Sequence, residues 1–289
     1  MDNNKKSKLE LLLYIVPAML VIAFIYAYPI VMIIKSGFFQ IGKKTTGFTL
    51  SNFQTIFQTA SVVSGIKNNF LLICAVPVIV VFSILFAAIL YDRIKGWKFY
   101  RFIIFMSYVL PVPVVGLIFV YIYQLNGVLN TFLKLVRLDF LVQDWFGNPK
   151  LVIWSIMTII IWKMLGFSTI FLLARMMSIE KDLFEQAEID GCNWFQKNIH
   201  ITIPQCSRTI GFLATTNIVT MLSWVFAYIY TTTRGGPGVS SMVTEVAIFN
   251  YAFVSFNFSL ASATAFILLL ISLTFIILQT RIRVREVEI

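Results

Sequence analysis

The chain has 289 residues, 59% of them hydrophobic and only 12% charged, with a mean hydropathy of +0.86. Soluble domains carry about a quarter charged residues, so a soluble protein is excluded, and about six spans of about 20 residues leave no room for a separate enzyme domain. The net charge of +10 does not indicate nucleic acid, because the basic residues flank apolar segments and form no stripe interleaved with aromatics.

Six apolar segments are expected to span a membrane, at about 11–34, 66–91, 101–123, 151–174, 209–231 and 259–280. The first follows Lys5, Lys6 and Lys8. It outruns the h-region of a signal peptide, about 7–15 residues, and has no small-x-small cleavage site, so it reads as an uncleaved span. The outer loop after it contains Phe48 and Leu50, which suit a short interfacial helix. The loop after the third span holds the turn signals Asn126-Gly127 and Asn148-Pro149, with Trp145 and Phe146 placed for the headgroup belt. The loop after the fifth opens with Gly235-Gly236-Pro237-Gly238 and is otherwise fairly apolar. The expected fold class is an all-α, polytopic membrane helix bundle, with residues 1–289 forming one transmembrane domain.

Orientation follows from Lys and Arg. With the N-terminus inside, fourteen basic residues are cytoplasmic: Lys5, Lys6, Lys8, Arg93, Lys95, Lys98, Arg101, Arg175, Lys181, Lys197, Arg208, Arg281, Arg283 and Arg285. Seven are outside: Lys43, Lys44, Lys67, Lys134, Arg137, Lys150 and Arg234. Lys35 and Lys163 fall at or within spans. The bias puts both termini and the polar segment at about 175–208 in the cytoplasm. Cys74, Cys192 and Cys206 have no metal-ligand spacing and His200 is the one histidine. Neither a metal site nor a disulfide is expected, and no catalytic residue is assigned.

The polar segment carries the chemistry. Glu180, Asp182, Glu185, Glu188 and Asp190 make an acidic helix with Phe184, Ala187 and Cys192 as its small apolar face. Gly191 is placed to end that helix in the left-handed conformation. A second helix offers Trp194, Phe195 and Ile199, and Pro204 breaks or starts a helix. Such a hairpin fits a groove on another protein, although most charged loops are only solvated loops.

The spacing Glu185, Ala187, Gly191, Ile201, Ile203, Pro204 resembles the cytoplasmic coupling loop of ABC-importer permeases. Asp190 and Phe195 belong to the same pattern, while Gln186 and Cys192 stand where the family usually has alanine. Tyr108-Val109-Leu110-Pro111, Trp162-Lys163, Gly166-Phe167, Gly235-Gly236-Pro237 and Tyr251-Ala252-Phe253 are similar to permeases of the maltose and glycerol-3-phosphate type. The Gly-Gly-Pro element and short basic tail resemble the larger-type permease of the heterodimer. The resemblance implies a bacterial inner-membrane assembly with a second permease, two ATPase subunits and an external sugar-binding protein. ATP and magnesium would sit in the ATPase partners, and this chain has no Gly-x4-Gly-Lys-Ser/Thr phosphate loop of its own. Membrane lipid is the remaining partner.

Glu185, Ala187, Asp190, Gly191, Phe195 and Pro204 are the candidate coupling residues. For the substrate path the candidates are Tyr108, Lys163, Phe167, Asn217, Thr220 and Trp224. Lys163 is the one basic residue deep in a span, where charge usually faces the bundle interior or water. It is also compatible with snorkelling or packing. Tyr108 resembles a cavity-lining family position, and Trp224 rests on its place in the fifth span. Asn217 and Thr220 precede Trp224 by about two and one helical turns. Two rival classes are weaker. A proton- or sodium-coupled carrier commonly uses membrane carboxylates, and the six spans contain no Asp or Glu. A membrane-embedded enzyme needs a polar catalytic cluster, which His200 and scattered acids do not make.

Overall fold

The computed structural model describes residues 14–39 and 47–287. Lys5, Lys6, Lys8, Lys43 and Lys44, which enter the orientation count, lie outside the described residues. Helices α1 Tyr14–Phe38, α2 Ser51–Gln58, α3 Ala60–Ile73 and α4 Ala75–Tyr91 open the chain. Helices α5 Trp97–Val109, α6 Val112–Tyr123, α7 Val128–Leu135 and α8 Val152–Met176 follow. The polar segment forms α9 Lys181–Ile189 and α10 Trp194–Lys197. Helices α11 Ile203–Ser223, α12 Phe226–Thr232, α13 Thr244–Phe249 and α14 Phe258–Val287 complete it. Among the described residues the one β-type pairing is an isolated bridge between Phe39 and Phe48.

Five helices are long and apolar enough to cross a membrane, and α11 with α12 makes a sixth if the pair, bent by 48°, is one span. The third expected segment divides in two, because Pro111 lacks an N–H and pushes Leu110 into an extended conformation (ψ 133°). By length and composition the candidate span there is Val112–Leu135, which runs through α6 and α7. The interfacial helix expected around Phe48 and Leu50 begins just beyond them, at Ser51.

The chain divides into two compact units. The first comprises residues 1–59 and 248–269. Within it, the ring of Phe38 contacts those of Phe48, Phe53 and Phe266, and Asn52 Nδ2 donates to the Gly37 carbonyl at 2.9 Å. A β-carbon on Gly37 would stand 3.3 Å from the backbone of Ala263, so the small residues Gly37, Ala261 and Ala263 let two helices approach closely.

The second unit comprises residues 60–247 and 270–289 and contains every candidate site residue. Helix α8 is its axis, with α4, α5 and α11 packed on it. Ala87, Leu90, Leu172, Leu173, Met176, Ile179, Cys206 and Leu213 form a buried cluster at one end. Tyr91, Trp97, Phe184 and Trp194 pack against that cluster, so the polar hairpin is rooted on the core of the unit.

Candidate functional site

The hairpin is built as its residues dictate. Helix α9 ends at Asp190, and Gly191 adopts φ 78°. The Cys192 N–H then donates to the Ala187 carbonyl (2.9 Å) and the Gly191 N–H to the Glu188 carbonyl (3.1 Å). This is the six-to-one and five-to-two pattern that satisfies the last carbonyls of a helix. A β-carbon on Gly191 would meet nothing within 4 Å. The glycine is therefore required for its backbone angle, not for space. Asn193 caps α10 through a reciprocal box with Gln196. Pro204 lies within the continuous helical run Trp194–Ser223, directly after a π turn over Asn198–Thr202 that accommodates its missing N–H.

Two polar contacts set the hairpin's pose. Lys197 Nζ pairs with Glu188 Oε1 at 2.7 Å, tying its two helices together. Trp194 Nε1 donates to Asp92 Oδ2 at 2.6 Å, tying it to the turn after α4. The structure sorts the expected apolar face into two. Phe184 packs on Tyr91 with ring centroids 5.2 Å apart, and Ala187 is buried. These residues face the protein. Ile189 (86% exposed), Phe195 (67%) and Ile199 (56%) face outward, beside the exposed Glu185 and Asp190. Sequence reasoning passed over Ile189, although it directly precedes the Asp190-Gly191 turn. A cleft of about 300 Å³ lies between α9 and the end of α4. Its floor includes Tyr91, Trp97 and Phe184, and its charged lining includes Arg93, Lys181, Glu185 and Glu188.

The path candidates fall into two groups. Tyr108, Lys163 and Phe167 meet. The Tyr108 and Phe167 rings are 5.0 Å apart, and Lys163 Nζ stands 5.6 Å from the Tyr108 centroid. Lys163 is buried and neither snorkels nor points into open space. Its ammonium donates to the carbonyls of Ser107 (3.3 Å), Tyr108 (2.8 Å) and Leu110. The cause is local. The Ser107 carbonyl would bond to the N–H of residue 111, which is a proline without one, so the break between α5 and α6 orphans carbonyls that Lys163 gathers. Gly166, one turn further on, brings the helices together. A β-carbon there would lie 2.6 Å from both the Ile104 carbonyl and Ser107 Oγ. Gly166→Ala is expected to cost about 1–3 kcal/mol as an overpacked contact, read as a lower melting temperature of the solubilised protein. An unchanged melting temperature would mean that α5 and α8 part freely.

From Tyr108 an aromatic run continues through Phe167, Phe171 and Phe212. Successive centroids are 5.0, 5.6 and 5.4 Å apart, and Tyr108, Phe171 and Phe212 are each about 40% exposed. Phe171 and Phe212 were not singled out in the sequence. The signal for Phe171 was its four-residue step from Phe167, which puts both on one helix face.

The second group is dispersed. Asn217 is buried, and its amide donates to the Leu213 carbonyl (2.8 Å) and Ser168 Oγ (3.4 Å), joining α11 to α8. Thr220 Oγ1 donates to the carbonyl of Thr216 in its own helix. Trp224 is 73% exposed at the break between α11 and α12.

A residue outside the spans completes this region. Glu245, on α13, is half-buried and has no ion-pair partner among the described residues. Its Oε1 accepts from the Val225 N–H (3.1 Å) and its Oε2 from Asn69 Nδ2 (3.2 Å). Burial pushes its pKa up to about 7 against these hydrogen bonds, which favour the carboxylate. The sequence signal was a lone acid in the apolar stretch Met242-Val-Thr-Glu-Val-Ala-Ile-Phe249.

Residues 79–286 match the family model of the binding-protein-dependent transport system inner membrane component. The chain is 29% identical over 276 residues to the probable ABC transporter permease protein YurN of Bacillus subtilis, covering 93% of this chain and 94% of that one. It is 30% identical to the diacetylchitobiose uptake system permease protein NgcF of Streptomyces coelicolor, covering 78% of this chain and 67% of the relative. In fold it resembles a chain of a bacterial alginate ABC transporter crystallised with an alginate pentasaccharide-bound periplasmic protein. The TM-score is 0.83, with 23% identity over 98% of this chain and 97% of that one.

Proposed function

The chain belongs to the family of binding-protein-dependent transport system inner membrane components, as a membrane permease subunit of an ABC importer, and from that premise we propose that it carries a carbohydrate handed over by an external binding protein. Partner ATPases hydrolyse the ATP, and a second permease completes the pathway. The hairpin α9–α10 carries the coupling reading. Its outer surface exposes the apolar side chains Ile189, Phe195 and Ile199 and the acids Glu185 and Asp190, and its root is fixed on the core. An exposed apolar patch with a charged rim marks a protein contact. Motion of a docked ATPase pulls a body tied by Trp194 to the turn after α4 and by its own chain to α8 and α11. Residues 1–289 act as one functional permease.

The substrate class rests on two supports. One relative is named for diacetylchitobiose uptake, and the solved structural neighbour transports alginate. The run Tyr108, Phe167, Phe171, Phe212 supplies partly exposed rings against which the apolar faces of sugar rings can pack. In this reading Lys163 shapes the path by holding the α5–α6 break, and Asn217 by packing α11 on α8. Trp224 borders the path from the other break. Radiolabelled oligosaccharides supplied to proteoliposomes of the full complex test the class. ATP-dependent accumulation supports it, and accumulation of amino acids or metal ions instead would overturn it.

Both termini and the hairpin lie in the cytoplasm in this proposal. A membrane-impermeant maleimide is expected to reach a cysteine placed at Gly47 or Gly238 in sealed cells, and to leave Cys192 unlabelled. Labelling of Cys192 from outside would invert the topology.

A further inference from the structure

We propose that Glu245 is a positioning residue for the break in the fifth span, and that its carboxylate is the latch that holds Trp224 at the substrate path. The proposal deepens the path reading above and rests on it.

The break lies between Ser223, the last residue of α11, and Phe226, the first of α12. The two helices bend there by 48°. A broken helix leaves N–H groups at the start of its second half without partners. Val225, the residue capping α12, has its N–H satisfied by Glu245 Oε1. The other oxygen, Oε2, is held by Asn69 Nδ2.

Asn69 is itself committed on every side. Its amide nitrogen also donates to the Met221 carbonyl (2.8 Å), in the last turn of α11. Its Oδ1 accepts from the Thr244 N–H (2.9 Å) and Thr244 Oγ1 (2.8 Å). One asparagine on α3 thus grips both α11 ahead of the break and the start of α13, while Glu245 on α13 grips Val225 within it. Gly65, one turn before Asn69, admits the approach. A β-carbon there would lie 2.9 Å from the Thr244 nitrogen and 3.0 Å from the Val243 carbonyl carbon. Val243, Thr244 and Val225 are fully buried. Trp224 stands next to Val225 and is 73% exposed. The backbone at this exposed aromatic is held by the Thr220 carbonyl, which accepts from the Trp224 N–H, and by the half-buried Glu245 carboxylate, which accepts from the N–H that follows.

A half-buried carboxylate without a cation partner among the described residues depends on its hydrogen bonds. A role that only fills space would be met as well by an apolar side chain of equal volume, whereas the hydrogen-bonding role would not, and that gives the test. The full complex, with its second permease and ATPases, is prepared with Cys74, Cys192 and Cys206 replaced by serine and Trp224 by cysteine. The rate of reaction of that cysteine with N-ethylmaleimide is measured without nucleotide and after trapping with ATP and vanadate. In the Glu245 background a difference between the two states is expected. Glu245→Leu keeps the volume and removes both acceptors. It is expected to abolish that difference, and to reduce uptake by the otherwise native chain at least about tenfold, while the ATPases still co-purify and basal hydrolysis continues. Glu245→Gln keeps one acceptor for Val225 and is expected to restore the difference in part. Gly65→Ala, which pushes α13 away without touching the carboxylate, should reproduce the Leu variant. A Leu variant that labels and transports like its parent overturns the latch. So does a Gln variant no better than Leu. Absence of any state dependence with Glu245 intact would instead overturn the path reading of Trp224.

Discussion

Reversing the charge at Glu185 to lysine is expected to cut uptake at least about tenfold, because in the coupling proposal this exposed acid faces the ATPase and does not support the fold. Glu185 has no ion-pair partner among the described residues and lies outside the buried cluster, so the variant should insert and express normally. Gly191→Pro goes further. Proline fixes φ near −65°, whereas the turn requires +78°. The helix end at Asp190 must then reform elsewhere and re-aim Phe195 and Ile199. Transport should be abolished while the spans remain intact. Both variants are checked by uptake alongside the amount of ATPase that co-purifies. Loss of uptake with lost or substrate-insensitive ATPase fits coupling. Full uptake in both removes the hairpin from the mechanism.

The second large effect is expected at Lys163. Methionine keeps an unbranched stem one atom shorter and leaves the carbonyls of Ser107, Tyr108 and Leu110 without their donor. Each buried polar group left unsatisfied costs about 1–3 kcal/mol. The break between α5 and α6 should therefore loosen, and Tyr108 with it. Lys163→Met should lose uptake and thermal stability together, equally for neutral and anionic substrates, because the ammonium is engaged with backbone. A variant that is stable yet selectively loses anionic substrate would assign the charge to the cargo instead.

Much of the coupling region was legible in the sequence, since it is written in local rules. A glycine after an acidic helix ends it, and Trp194 and Phe195 open a second helix beyond the turn. These need only neighbours along the chain. The proposed substrate path was less legible because it depends on which helices meet. Lys163 was visible as a deep charge and Pro111 as a break, but nothing in the order of residues says that one serves the other. Asn217 looked available for a hydroxyl until α8 supplied Ser168. Glu245 escaped notice because it lies in a connecting segment, and burial of a connection is decided by tertiary packing against Gly65 and Asn69. The division of Phe184 from Ile189 onto opposite sides of α9 likewise needed the root of the hairpin to be located.

The measurement that bears most directly on the account is purification of the affinity-tagged chain from its native membrane, followed by mass-spectrometric stoichiometry and vesicle uptake. The account predicts co-purification of a second permease and two ATPase subunits, with uptake driven by ATP and lost when the tip Ile189, Phe195, Ile199 is replaced by serine. A chain that purifies alone and accumulates substrate on a proton or sodium gradient without ATP would contradict it.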